Sequence, residues 1–402
     1  MNAPKLRFKE FNDEWQPINL ADILQYFSTN SLSREQLSES GILKNLHYGD
    51  IHRKYNSIVN ETKEITSYVK DINYINKYEL LKNNDLIFAD ASEDYEGIGK
   101  AVEVVNVNNN TVSGLHTILA RDNSNVFAPM FKGYYFNSPT VHNQIRVLAN
   151  GFKVYGISKE VINKLNIKIP SINEQSKIAN TLYLLDEKIE LQTKKIEDLK
   201  LFKLKSFEIM IRKINEYKKI KQIGSLKNGY AFKNNLYDGK GLYNILTISN
   251  VTGNLYINNN FKNKYNFIPK DIQNHQILKE KDILISMTGN VGRVSFNKGK
   301  NNLLNQRVGV LELNESINRD YIFYMLSNKK FENKMIDCGQ GAAQLNITKT
   351  DIENYKIPYP NKQKQLKITK ILNCITQKIQ LEENKLLKLK KLKKGLMQNM
   401  FV

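Results

Sequence analysis

The stretch IPSINEQSKIANTLYLLDEKIELQTKKIEDLK, residues 169–200, decides the fold because the chain contains it twice. The second copy is IPYPNKQKQLKITKILNCITQKIQLEENKLLKLK, residues 357–390. In both copies an Ile-Pro pair precedes a Glu-Gln or Lys-Gln pair, and the apolar residues that follow keep one register. The duplication extends over residues 157–210 and 347–400. It therefore marks the ends of two half-chains of about 190 residues each and not a solenoid of short units.

Apolar residues alternate at spacings of four and three along each copy, which predicts a helix with one apolar seam. Gln192 and Glu382 occupy the same missing step of the two seams, where a polar residue commonly fixes register and partner choice. Each run of about 40 residues predicts a helix on the order of 60 Å long. The two helices are expected to pack on each other as a spacer. Two helices inside an ordinary helical domain would leave the duplication unexplained. The seam residues are Ile178, Leu182, Leu185, Ile189, Ile196 and Leu199, then Ile368, Leu372, Ile375, Ile379, Leu386 and Leu389.

The sequence between the long helices consists of short β-branched and aromatic runs broken by Asn and Gly clusters, which is typical of strands joined by turns. Short helices are predicted near 132–136 and 320–326. The fold class predicted is therefore α+β, with two strand-rich mixed domains related by internal pseudo-symmetry. The predicted strands include residues 85–88, 101–105, 282–286 and 307–311.

The charge balance favours a polyanionic partner. The chain has 60 basic and 40 acidic residues and a formal net charge of +20. Each phosphate that a basic side chain neutralises releases counterions, so nucleic acid is the leading partner class. A coding bias toward Lys, Asn and Ile, with lysines on solvated faces, is the alternative explanation.

The two cysteines, Cys338 and Cys374, have no zinc-ligand spacing, which favours a reduced intracellular setting. The start of the chain has no apolar signal core, and no window approaches 18 uninterrupted apolar residues. A cytoplasmic protein without a membrane span is expected. The five histidines show no ligand spacing, so no metal site is predicted.

Motifs of DNA-modifying enzymes are absent from the sequence: there is no Asn/Asp-Pro-Pro-aromatic loop, no glycine-rich cofactor turn and no phosphate-binding Gly-Lys-Ser/Thr loop. The glycine clusters at 97–100 and 289–293 are interpreted as hairpin turns. Alternatively, they let the backbone approach phosphate and project Lys100 or Arg293. The acidic run at 90–96 favours a solvated loop, or one acceptor for a cytosine amino group, over a metal-dependent nuclease.

The lysines after Asn384 follow the seam without an intervening acid. We interpret them as a solvated rim of the helix in preference to a phosphate contact.

Three segments together carry a resemblance to a known family. They are the opening residues 4–8 with Phe11 and Trp15, the run 282–293 and the Ile-Pro, Glu-Gln and long-helix arrangement at 169–189. Along essentially its full length the chain resembles the specificity subunit of type I restriction-modification systems. The second copy departs from the usual Glu-Gln because it has Lys364.

The resemblance implies two target-recognition domains held apart by an antiparallel pair of helices with a pseudo-twofold relation. Each domain would read one half of an asymmetric, interrupted sequence in double-stranded DNA, and the rod length would set the unread spacer. The expected segments are target-recognition domain 1 at 1–165, spacer helix region 1 at 166–215, target-recognition domain 2 at 216–355 and spacer helix region 2 at 356–402.

The resemblance also implies that this subunit performs no chemistry and holds no cofactor. Two modification subunits would bring S-adenosylmethionine and flip a target adenine, and restriction subunits would use ATP and Mg²⁺ to translocate and cut DNA. Those partners are expected to dock on the helices and the adjoining lobe surfaces.

Candidate DNA contacts follow from loop position and hydrogen-bonding chemistry. A plain surface role fits each of them equally well. In the first lobe they are Tyr95, Lys100, His116, Arg121, Arg146, Lys153 and Tyr155; in the second they are Thr288, Asn290, Arg293, Gln306, Arg307, Gln340 and Gln344. Two other functions stay open at this point: a sequence-nonspecific nucleic-acid clamp and a coiled-coil scaffold that binds only protein.

Overall fold

A computed structural model describes residues 3–75, 78–108, 110–149, 155–339 and 345–402. Lys153, Gln340 and Gln344 lie outside these ranges. The chain forms two compact units. The first unit takes residues 1–195 and 382–402, and the second unit takes residues 196–381.

The first unit is built on a five-stranded central sheet with the order β2-β11-β7-β9-β5 and a four-stranded sheet with the order β10-β4-β6-β3. Its strands are β1 (Gln16–Ile18), β2 (Leu24–Phe27), β3 (Leu37–Ser38), β4 (Lys44–Leu46), β5 (Ile58–Asn60), β6 (Tyr68–Val69), β7 (Leu86–Ala89), β8 (Ala91–Ser92), β9 (Ala101–Val105), β10 (Thr111–Ser113), β11 (Thr117–Asp122), β12 (Tyr155–Gly156) and β13 (Ile167–Ile169). Its helices are α1 (Leu20–Ile23), α2 (Tyr48–Arg53), α3 (Glu61–Glu64), α4 (Phe131–Phe136), α5 (Pro139–Leu148), α6 (Lys159–Asn163) and the beginning of α7 (Ile172–Arg212).

The second unit has a central sheet with the order β15-β21-β18-β19 and a three-stranded sheet with the order β17-β16-β20. Its strands are β14 (Tyr217–Lys219), β15 (Gly224–Asn228), β16 (Tyr243–Leu246), β17 (Lys264–Tyr265), β18 (Ile283–Ser286), β19 (Val294–Phe296), β20 (Asn302–Leu304), β21 (Val308–Leu313) and β22 (Lys356–Pro358). Its helices are α8 (Arg319–Leu326), α9 (Lys329–Cys338), α10 (Lys349–Asn354) and the beginning of α11 (Lys362–Asn399). Single 3-10 turns occur at Arg34–Gln36, Ile72–Tyr74, Ile220–Gln222, Asn234–Leu236 and Asn274–Gln276.

The two units share one strand topology. The order β2-β11-β7-β9 recurs as β15-β21-β18-β19, and β6-β4-β10 recurs as β17-β16-β20. In each smaller sheet the same pair, β4 with β10 and β16 with β20, is parallel. The antiparallel pair β1 and β13 recurs as β14 and β22. The α+β class with two strand-rich domains, predicted from the sequence, is therefore confirmed.

Each unit buries in its main core apolar residues of α7 and of α11 or the residues just after it. In the first unit Ile178 and Leu182 of α7, with Met400 and Phe401 after α11, join the core around Phe131. In the second unit the corresponding helix residues are Phe207 of α7 and Ile368 and Leu372 of α11. The helices thus pack as parts of the units.

The predicted long helices are present. Helix α7 has 41 residues and α11 has 38. Within the first unit they run antiparallel, because Asp186 pairs with Lys393 while Gln192 bonds to Glu382. The structure buries eight of the seam residues and half-buries Ile189, Leu199, Leu386 and Leu389. No helix in the described ranges combines the length and apolar content that a membrane span needs.

Polar side chains meet at the gap in the seam. The Glu382 side chain is 0% exposed. Its carboxylate accepts a hydrogen bond of 2.8 Å from Nε2 of Gln192 and lies 3.1 Å from Nζ of Lys195. Nζ of Lys385 lies 3.3 Å from the same carboxylate. The buried carboxylate is thus paired, which is the condition under which a charge is tolerated in a seam.

Candidate nucleic-acid interface

Main-chain hydrogen bonds bring four loops of the first unit to one end of the central sheet. The amide of Asp90, just after β7, donates to the carbonyl of His116, just before β11 (3.1 Å). The amide of Ile157 donates to the carbonyl of Asp90 (2.9 Å), and that of Ala89 to the carbonyl of Lys100 (2.9 Å). We call this end, with residues 90–100, 116 and 155–157 and the entry to α2, the first rim.

The second unit repeats the same bonds at the matching end of its sheet. The amide of Met287 donates to the carbonyl of Arg307 (3.1 Å), and that of Ile347 to the carbonyl of Met287 (3.0 Å). The amide of Ser286 donates to the carbonyl of Arg293 (3.0 Å). We call this end, with residues 287–293, 305–307 and 345–347, the second rim. Asp90 thus corresponds to Met287, His116 to Arg307 and Lys100 to Arg293.

Two glycines shape the corresponding turns. Gly99 has φ +70° and Gly292 has φ +74°, a region that residues with a Cβ rarely adopt. A Cβ on Gly99 would lie 2.5 Å from Ile145, and one on Gly292 would lie 2.7 Å from Met335. The hairpin interpretation of both glycine clusters is confirmed. The phosphate-approach alternative stays a prediction.

Tyr95, Arg146 and Tyr155 come together on the first rim. The ring of Tyr95 meets that of Tyr155 edge-on at 5.2 Å, and its hydroxyl donates to the carbonyl of Arg146 (3.0 Å). The guanidinium of Arg146 lies 5.8 Å from the Tyr95 ring centroid and pairs with Glu96. Because Tyr95 is 41% exposed, this group presents an aromatic and a cationic surface to solvent.

Lys100 points its ammonium into the unit. Its Nζ donates to the carbonyls of His52 (3.3 Å) and Tyr55 (2.7 Å), at the end of α2. Burial, and then the positive charge of Lys393, lowers the pKa of Lys100. These bonds anchor α2 beside the rim. A DNA contact by Lys100 stays a prediction, and the lysine would have to give up both bonds to make it.

The structure places Arg121 away from the first rim, at the opposite end of β7. It is 8% exposed, and its guanidinium bonds to Asp85 (2.7 Å) and Glu79 (2.7 Å). It also lies 4.4 Å from the ring centroid of Phe27. The hydrogen bond to Asp85 is the main cause of a raised pKa for Arg121. These contacts tie β11 to the loop before β7.

His116 stands at the centre of the first rim in a left-handed conformation with φ +53°. Its Nδ1 lies 3.1 Å from the carboxylate of Asp90, and its ring meets that of Tyr48 edge-on at 5.2 Å. The side chain is 50% exposed. Burial raises the pKa of Asp90, and the contact with His116 opposes that rise.

The second rim gathers the described candidates of the second unit. Thr288 is buried and bridges to Asn346, whereas Asn290, Gln306 and Arg307 are exposed. Nε of Arg293 lies 3.6 Å from Glu332. Arg293 also lines a pocket of about 280 Å³. The other polar or charged residues that line it are Thr252, Asn254, Ser327, Asn328, Lys329 and Glu332.

Sequence reasoning missed one segment of each rim. The runs at 41–51 and 241–251 match, with Gly-Ile before one strand and Gly-Leu before the other, and Asp-Ile or Asn-Val nine residues after each glycine. Tyr48 follows β4 and lies at the first rim, and Ile248 follows β16 and lies at the second. A side-chain carbon of Ile248 lies 3.6 Å from where a Cβ of Gly289 would lie. A spacing of 200 residues between the two matched runs was the signal that could have found them.

The acidic run of the first rim is engaged in local bonds. Asp94 accepts a hydrogen bond from the amide of Gly97 (2.5 Å), and Glu96 pairs with Arg146. Throughout the described ranges, no group of three or more His, Cys, Asp or Glu side chains could hold a metal ion.

Comparison with known proteins gives one consistent result. The family described as "Type I restriction modification DNA specificity domain" matches twice, over residues 12–201 and 213–391. A putative type I restriction enzyme MjaX specificity subunit of Methanocaldococcus jannaschii is 26% identical, and the match covers 98% of this chain and 95% of that protein. The MjaVIII specificity subunit of the same organism is also 26% identical, over 60% of this chain and 62% of its own length.

Two solved structures share the fold. The type I restriction-modification S subunit from M. genitalium has a TM-score of 0.62 at 15% identity, over 100% of this chain and 99% of that one. A chain from a study of complex assembly and conformational transition of the type I R-M system has a TM-score of 0.55 at 16% identity, over 95% and 96%.

Proposed function

We propose a function from one premise: the chain belongs to the family of type I restriction modification DNA specificity domains and is a specificity subunit. It reads a bipartite, asymmetric DNA sequence, with one rim for each half-site. The observation that carries this proposal is that both rims use the same main-chain bonds and present different side chains. At corresponding positions the first rim has His116 and the second has Arg307. Unlike side chains on one frame suit unlike half-sites.

The charge of the chain supports double-stranded DNA as the partner. A net charge of +20 favours association with phosphate whatever the sequence, and the rims then supply the base contacts. A clamp without sequence preference would need only the charge. It would not need two rims that share one frame and carry different side chains.

The same premise assigns the chemistry to other subunits. Two modification subunits would bring S-adenosylmethionine, and restriction subunits would bring ATP and Mg²⁺, while this subunit positions both on the DNA. The long helices offer docking surfaces because Leu191, Ile209, Leu366 and Leu381 on them are exposed. Exposed apolar side chains mark an interaction surface where they form a contiguous patch.

The test is a methylome of cells that carry the modification subunit with and without this chain. One interrupted, asymmetric, adenine-methylated motif should appear only when this chain is present. The variant Arg307→Ala should then lose roughly 1–3 kcal/mol of discrimination at one base pair of one half-site. A contiguous motif, or methylation that is the same without this chain, would contradict the proposal. Binding that random DNA competes away equally well would favour the nonspecific clamp.

A further inference from the structure

We infer that His116, held in place by Asp90 and Tyr48, accepts a hydrogen bond from the exocyclic amino group of an adenine or cytosine in one half-site. This inference rests on the proposed DNA-reading function and names one of its base contacts. Tyr48 is a positioning residue, because its ring packs against the edge of the imidazole. Three observations on the first rim and one on the second support the inference.

Three of the five histidines of the chain collect around Tyr48, and two of them are used within the fold. His47 is 5% exposed, and its Nδ1 accepts a hydrogen bond from the amide of Gly49 at the start of α2 (3.1 Å). His52 bonds through Nε2 to the carbonyl of Ala91 (3.0 Å). His116 is the one of the three whose ring edge stays available.

The backbone of His116 is strained and doubly fixed. Its φ of +53° belongs to a region that costs a residue other than glycine on the order of 1 kcal/mol or more. Asp90 fixes it through its amide, which donates to the His116 carbonyl, and through its carboxylate at Nδ1. Strain of this kind persists where the surroundings over-determine a side chain, which is common at binding sites.

The contact with Asp90 decides the chemistry of the free nitrogen. In neutral imidazole one nitrogen donates and the other accepts, and a carboxylate at Nδ1 selects the tautomer in which Nδ1 carries the proton. Nε2 is then an acceptor. Within the described ranges no hydrogen bond to Nε2 of His116 is present, and the side chain is 50% exposed. In the major groove an acceptor reads the amino group of adenine or cytosine.

The second rim has the opposite chemistry at the same position. Arg307 is exposed and can only donate, which suits guanine. The residue of the second unit that corresponds to Asp90 is Met287, whose side chain cannot orient a ring by a hydrogen bond. The two rims therefore present an acceptor and a donor at equivalent points.

The experiment uses the full complex with its modification subunit and its methylated motif. The variant His116→Asn keeps a residue that tolerates the left-handed conformation but shortens the side chain. We expect it to lose about fivefold to 100-fold discrimination at one base pair of one half-site. DNA with purine in place of adenine, or pyrimidin-2-one in place of cytosine, lacks the amino group. One of these analogues should weaken wild-type binding to the level of the variant and leave the variant unchanged.

The base analogues supply a readout that a merely structural role of His116 would not move, because in that case removal of the amino group would affect wild type and variant alike. The groups facing the imidazole are the carboxylate of Asp90 and the ring of Tyr48, with His47 and His52 behind it.

His275→Asn is the matched control, because His275 lies in the second unit, where it bonds to the carbonyl of Asn228. It should leave the half-site preference unchanged. If the wild-type complex reads a bipartite site and the His116→Asn variant discriminates at every base pair as well as wild type does, this inference is wrong and the proposed function stands. A wild-type complex that reads no bipartite site overturns the proposed function.

Discussion

At equivalent points of the two rims, His116 faces Asp90 in the first unit, while Arg307 stands beside Met287 in the second. The main-chain bonds around these residues are the same. The frame is therefore held by groups that every residue possesses, and the side chains that project from it can vary without loss of the fold. Under the proposed function, this separation of frame from side chains would let one fold serve two different half-sites.

The same contrast reaches into the core. Glu103 on β9 lies opposite Leu86, and Phe296 on β19 lies opposite Ile283, at corresponding positions of the two sheets. The Glu103 carboxylate pairs with Lys132 at 3.6 Å, and both side chains are buried. Phe296 instead stacks on Phe323 with ring centroids 4.0 Å apart. At this position of the sheet the first unit has a buried ion pair and the second has an aromatic stack.

The largest expected effect comes from breaking the ion pair. Glu103→Ala should lower the free energy of unfolding of the first unit by about 3–5 kcal/mol, because it leaves the ammonium of Lys132 buried without its partner. It also removes the acceptor of the amides of Met130 and Gly133. Hydrogen exchange resolved by residue measures the loss unit by unit, and the second unit should be unaffected.

The control removes both charges. Glu103→Leu with Lys132→Met should recover most of the stability, because buried ion pairs are commonly replaced by apolar side chains of similar volume at little cost. If the double variant were no more stable than Glu103→Ala, the loss would come from the amides of Met130 and Gly133, which lack an acceptor in both variants, and not from an unpaired charge.

The sequence predicted the fold at the level where periodicity decides it. The four-three spacing gave α7 and α11, and the β-branched runs gave β7, β9, β18 and β21. Periodicity cannot predict which strands pair. Between the parallel strands β4 and β10 lie 64 residues (47–110), and between β16 and β20 lie 55 (247–301). Pairing between strands so far apart leaves no local signal in the sequence.

A pH effect should distinguish the two units next. Burial, and then the positive charge of Arg34, lowers the pKa of His47 to about 4. The folded state therefore prefers the neutral ring. The contribution of the neutral His47 ring to the free energy of unfolding is complete above the unfolded-state pKa of about 6.5. As the pH falls from there toward 4, up to roughly 3 kcal/mol of it is lost. The corresponding residue in the second unit, Thr247, does not titrate in this range.

The variant His47→Asn isolates this step, since Asn can still accept the hydrogen bond at the start of α2. In the variant, the acid-unfolding transition of the first unit should shift to lower pH, and that of the second unit should stay unchanged. His142, whose pKa burial also lowers, titrates in both proteins and cancels from the comparison. An unshifted transition would mean that His47 opens to solvent before the unit unfolds.

The candidate interface was only partly predictable from the sequence, for a physical reason. Tyr95, His116 and Arg307, chosen by loop position, lie at the two rims, and their contacts with DNA stay predictions. Arg121 has the same donor chemistry, but its guanidinium is bound to the buried carboxylate of Asp85. Whether an arginine faces solvent or a buried carboxylate depends on contacts between residues far apart in sequence, and residue type alone does not reveal it.

The smallest effect concerns the point where the two repeat copies meet. Gln192 and Glu382 hold the same position in their copies, and each is followed three residues later by a lysine, Lys195 or Lys385. The pair is therefore nearly symmetric apart from one amide and one carboxylate. Exchanging them, Gln192→Glu with Glu382→Gln, should change the free energy of unfolding by less than about 0.5 kcal/mol, because the carboxylate again finds an amide donor and lysines.

Gln192→Leu alone removes the amide that donates to Glu382 and should cost about 1–3 kcal/mol, since the carboxylate stays buried. Thermal unfolding of the three proteins separates these outcomes. An exchange that cost as much as the single variant would show that the two copies are not interchangeable at this position. The asymmetry of the subunit would then begin in the helices, and the rims would add to a difference already present in the frame.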